Sequence, residues 1–173
     1  MKKYPTNFVE IQSKLLSSRS YRNHFNKSIE VFLKDIQLSR IDEDHLRHLN
    51  PKELEHQAEL LLNKRWAEVH KLLPTTTSAF PVQMRAFFYA YAEKNWPTGH
   101  ARHANDAVYF GHYLKTFKVN GLDHAEFLGL RFSLSPEKFA IHMIKNQKKS
   151  LFPWQILIIL RSGKKIIRYI VGV

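Results

Sequence analysis

Within the run His100-Ala101-Arg102-His103-Ala104-Asn105-Asp106, three side chains have the types and spacing to hold a divalent ion. His100, His103 and Asp106 recur every three residues, so on a helix they share about one side, offering two imidazoles and a carboxylate. A plainer reading stays open beside it. His100 follows Gly99 and falls in a first helical turn, and His103 with Asp106 makes an ordinary helix-surface pair. No second, independent ligand group of the HExxH kind accompanies them.

Other chemistries leave fewer traces. The chain has no cysteine, which excludes disulfides, thiolate catalysis, zinc knuckles and iron–sulfur ligation. It has no GxSxG elbow and no glycine-rich phosphate loop, its six glycines being scattered. Asp42-Glu43-Asp44 has the pattern of a solvated helix start, not of a buried acid–base pair. Arg65-Trp66 and Trp96 could stack on bases, but Trp66 shares helical spacing with Leu62, Val69 and Leu73 and so reads better as a core anchor. No cofactor is expected.

Charge is the strongest signal. No Asp or Glu follows Glu137, whereas Lys138, Lys145, Lys148, Lys149, Arg161, Lys164, Lys165 and Arg168 do, giving the last 36 residues +8 of the chain's +12. A field this one-sided concentrates polyanions such as nucleic acid or anionic lipid. The candidate polyanion-binding residues are Arg131, Lys138, His142, Lys145, Lys148, Lys149, Lys164, Lys165 and Arg168. Lysines at Lys148-Lys149 and Lys164-Lys165 also suit turns, where they keep strand edges from pairing with other sheets. That use accounts for the lysines and not for the missing acids.

At 173 residues the chain is long enough for one substantial core, and 13% aromatic content argues against disorder. No apolar h-region follows the basic start, and Trp154 to Leu160 falls far short of the roughly 20 apolar residues of a spanning helix. A soluble, cytoplasmic protein is expected.

The elements that must position these residues read as helix up to about residue 117. Asn7 caps an apolar series Phe8, Ile11, Leu15, Leu16; a second series runs from Tyr21 to Leu33. A short helix follows at Ile41, and Asn50-Pro51 starts a long one that Pro74 stops. Further helices carry Met84 to Tyr91 and His100 to about Lys115, separated by Trp96-Pro97-Thr98-Gly99. The period then changes to two. Leu130, Phe132 and Leu134 would pair with Phe139, Ile141 and Met143 across a turn at Pro136-Glu137, all six facing the core. A second hairpin joins Trp154–Arg161 to Lys164–Val173 through Ser162-Gly163, with Asn146 to Ser150 as the connecting loop. The expected fold is α+β: five or six helices in 1–117, then a basic four-stranded antiparallel meander in 118–173 packed on them.

The stretch from Leu61 to Pro74, LLNKRWAEVHKLLP, resembles small bacterial proteins of unknown function that carry a KRWxEVxxLLPxT helix. In those proteins a FxxYAxxxxPxG stretch and an HxxDAxxFxxYL helix follow, as Phe88 to Gly99 and His103 to Leu114 do here. The region from Phe8 to Leu49 is similar too, although Lys27-Ser28 stands where their usual Asp-Pro precedes the second helix's apolar run. The group is distantly similar to DNA-binding-type domains encoded beside multinuclear iron oxidases that modify peptides, as in methanobactin assembly. This resemblance implies a non-catalytic binding role and carries over no catalytic residue.

Three functions are therefore expected in order. The first is a non-enzymatic module binding nucleic acid or another polyanion with little sequence specificity. The second is a protein–protein adaptor that presents a peptide to a metal-dependent modifying enzyme, using a free sheet edge. The third is a metal-dependent enzyme built on His100, His103 and Asp106.

Overall fold

Prolines open helices in this chain and serines cap them. The computed structural model describes residues 7–145, 153–163 and 165–172, and among these lie nine helices followed by three strands. Pro51, Pro74 and Pro81 each stand at the first position of a helix, where the missing N–H costs nothing. The helices in order are α1 (Phe8–Ser17), α2 (Arg19–Lys27), α3 (Ile29–Lys34), α4 (Arg40–Arg47), α5 (Pro51–Leu72), α6 (Pro74–Ala79), α7 (Pro81–Ala92), α8 (Arg102–Thr116) and α9 (His124–Leu134). No described helix is long and apolar enough to cross a membrane.

The chain divides into two units, one of residues 1–67 and 88–96, the other of residues 68–87 and 97–173. In the first, Asn7 accepts the Glu10 N–H at 2.9 Å and caps α1 as its sequence predicts. Ser18, Ser28 and Ser39 cap α2, α3 and α4 by accepting from Tyr21, Val31 and Asp42 N–H. Tyr21 to Leu33, one apolar series by period, is therefore two helices, because Ser28 takes an extended backbone and restarts the chain. The core gathers Ile11, Leu15, Phe25, Phe32, Leu33, Ile36, Leu46 and Leu54. The Phe32 ring meets Tyr21 and Phe25 edge-on at 5.1 and 5.3 Å. Arg22, only 7% exposed, forks onto Glu55 at 2.8 and 3.2 Å and donates to the Leu15 carbonyl at 3.0 Å, so a cation closes the end of α1.

In the second unit, Leu130 to Leu134, expected as the first strand of a meander, belong instead to α9. Asp123 accepts the Glu126 N–H at 2.8 Å, an N-cap that starts a helix. Ala125, Leu128 and Phe132 then recur at helical spacing toward the sheet, and this burial outweighs the period-two pattern of Leu130, Phe132 and Leu134. The Glu126 carboxylate accepts from Thr75 and Thr76 N–H at 2.8 and 2.9 Å, stabilising the open start of α6. A Cβ at Gly111 of α8 would overlap the Phe127 ring, so glycine there lets α8 and α9 approach.

Among the described residues the sheet has three strands, not four, in the order β1 (Phe139–Lys145), β2 (Trp154–Ser162), β3 (Lys165–Gly172), all antiparallel. The second hairpin forms as expected: Ser162 pairs with Lys165, and Gly163 turns the chain at φ +58. The expected loop from Asn146 to Ser150 lies outside the described residues. Register sets Phe139, Ile141 and Met143 against Leu160, Ile158 and Ile156, and these against Ile167, Tyr169 and Val171. The first triad was expected to face the core, but it is exposed. The opposite face packs on α9 instead, through Ile144, Leu157 and Ile159 with Phe132. With α9 in place of a strand, the parity of β1 toward the core is reversed.

Candidate polyanion interface

Alternation along β1 turns Ala140, His142 and Ile144 toward α9. On α9, His124 and Arg131 stand seven residues apart, which is two turns and the same face. Phe127 and Leu128 lie between them, and Lys115 comes from the last turn of α8. Lys115, His124, Arg131, His142 and Lys145 together line an open cleft of about 510 Å³, with Phe127, Leu128 and Ile144 among its apolar walls. No carboxylate is among its described lining residues.

Arg131 and Lys115 impose a field that a neighbouring group registers. The His112 imidazole, edge-on to the Phe127 ring at 5.0 Å, is held below its ordinary pKa first by burial and then by the charges of Arg131 and Lys115. Chemically the cleft offers a planar guanidinium fork, two ammonium point charges and two imidazoles, which suit phosphate oxygens.

Of the residues singled out from sequence, Arg131, His142 and Lys145 come together in this cleft. Lys138 is exposed just before β1, and Lys165 is exposed at the start of β3. Arg168 lies over Gly129 of α9 and borders a different cleft that also holds Asp123 and Glu126, so its surroundings are of mixed charge. Lys148, Lys149 and Lys164 lie outside the described residues. The metal trio does not assemble: His100 sits in the turn before α8, Asp106 is 1% exposed, and no metal-holding group of three or more His, Asp or Glu occurs among the described residues. Lys115 and His124 were missed. The Asp123-x-x-Glu126 cap signal is what would have placed His124 at a helix start.

Compared with family models, curated proteins and solved structures, the chain matches none.

A second cleft, of about 420 Å³, lies within the first unit and has mixed charge, with Arg19, Arg22 and Arg65 beside Glu55, Glu59 and Glu93. Its two buried cations are already engaged. Arg22 holds Glu55, and Arg65 donates to the Ala92 and Asn95 carbonyls at 3.4 and 2.9 Å. The Arg65 guanidinium also lies 4.9 Å from the Trp96 ring and 5.6 Å from that of Phe88. Trp96 thus stacks on a protein cation, and Trp66 packs 5.5 Å from Phe88.

Proposed function

We propose that this chain is a non-enzymatic binding protein whose cationic cleft takes the phosphate backbone of nucleic acid with little sequence specificity. One observation carries the reading: Lys115, Arg131 and Lys145 converge with His124 and His142 on a cleft that no carboxylate among the described residues lines. The acid-free segment after Glu137 supports it by leaving β1, β2 and β3 without a competing anion. Phosphate contacts position a duplex or a single strand without reading its bases.

Salt dependence tests this directly. Neutralised phosphates release counterions, so affinity for DNA or RNA should fall steeply as salt rises from about 50 to 200 mM. Changing Arg131 and Lys145 together to Gln should flatten that slope by about two. Undetectable binding of DNA and RNA at low salt, or an unchanged slope in the double variant, refutes the cleft as the site.

A further inference from the structure

The face of the sheet turned away from α9 is apolar along all three strands. Phe139, Ile141 and Met143 on β1 are 53%, 57% and 69% exposed, and Tyr169 and Val171 on β3 are 52% and 51% exposed, with Trp154 at 47% closing one end of β2. With their half-buried neighbours these side chains open a contiguous, mostly apolar face of a kind that marks an interaction site. Alternation places two lysines on the same face. Lys145 pairs with Trp154 at one end, and Lys165 pairs with Ser162 at the other. The strands contain no carboxylate, since Glu137 is the last acidic residue in the chain.

A second copy is a poor occupant. Sheets stacked face to face align within about 30°. Two-fold stacking would lay Lys145 and Lys165 of one copy over Val171 and Phe139 of the other, each ammonium against an apolar side chain with no acid on the strands to pair with it. An anionic surface has the opposite preference. We propose that this face docks on an anionic lipid bilayer, its apolar side chains entering the headgroup–acyl boundary and its lysines meeting the phosphates. Trp154 and Tyr169 carry the amphipathic rings that favour that depth, and lysine stems bury while their heads stay wet. Lying in the interface leaves the outer edges of β1 and β3 hydrated, so no backbone group has to enter hydrocarbon unpaired. The docking surface borders the cleft, and Ile141, Met143 and Lys145 on β1 line both.

Co-sedimentation of the full chain with vesicles tests it. Binding is expected to vesicles containing about one third phosphatidylglycerol, to weaken with salt, and to be absent from pure phosphatidylcholine. Brominated acyl chains should quench part of the tryptophan emission, and Trp154→Phe should remove that quenching. Ile141→Thr with Met143→Thr should lower the vesicle partition about tenfold or more while the circular dichroism spectrum is unchanged. Arg131→Gln, in the cleft alone, should weaken nucleic-acid binding and leave the Trp154 quenching in place, so the two surfaces fail separately. Three results would overturn the proposal. They are no co-sedimentation with anionic vesicles, a partition indifferent to the threonine pair, or a dimer by light scattering that the same pair dissociates.

Discussion

Arg161 donates from Nη2 to the carbonyl oxygen of Ser135 at 2.7 Å, and from the same nitrogen to those of Phe132 and Ser133. Its Nε reaches the Glu137 carbonyl at 3.0 Å. One guanidinium on β2 therefore satisfies the carbonyls that α9 leaves open at its end and in the turn to β1. Arg161→Met should cost about 2–3 kcal/mol, as expected when a charged donor leaves half-buried acceptors. Arg161→Lys should recover little of it, because an ammonium cannot reproduce the fork. Urea denaturation measures both; wild-type stability in Arg161→Met would mean water replaces the arginine freely.

Gly111→Ala should destabilise by about 2 kcal/mol, since the new methyl enters the Phe127 ring. Adding Phe127→Leu should return roughly 1 kcal/mol of the summed loss, because the two sites share one contact. Strict additivity of the two changes would show that α8 shifts away instead.

His112 sets a pH dependence whose sign follows from its depressed pKa. A base that binds its proton less readily when folded adds stability above its unfolded pKa of about 6.5, and loses it as pH falls through the folded value. His112→Gln should therefore flatten the acid limb of stability below about pH 6.5. Nucleic acid in the cleft would offset Arg131 and Lys115, so its binding should raise the His112 pKa. NMR titration of the His112 ring with and without DNA reads this, and an unmoved pKa would place the DNA elsewhere.

Much of this architecture was legible in the residues themselves. Asn7, Pro51 and Ser162-Gly163 mark a cap, a helix start and a hairpin turn through strictly local chemistry, and each does so here. α9 was not legible in the same way. Phe127, Leu128, Leu130, Phe132 and Leu134 satisfy a period of two and a period of 3.6 at once, and only burial on the sheet chooses. β2 is apolar on both faces, so its pattern could not say which face of β1 turns inward. Part of the cleft was hidden for the same reason. Arg131, His142 and Lys145 were visible as cations of the C-terminal region, whereas Lys115 and His124 join them only once α9 is a helix.

Truncation after Gly163 should cause aggregation. It removes β3 and leaves β2, apolar on both faces, as an unpaired edge able to pair between molecules. Light scattering of the truncated chain checks this; a soluble, folded product would show that β3 is dispensable to the sheet.

The two units have a consequence for the order in which the chain is made. Each is assembled from two separate stretches, with residues 88–96 belonging to the first unit although they follow residues 68–87 of the second. No single cleavage can yield both units whole, so a protease acting once leaves at least one of them short of its own residues. A chain emerging from the ribosome cannot finish the first unit until Trp96 is out. The second must then wait for β1 and β2, whose Ile144, Leu157 and Ile159 cover the apolar face of α9.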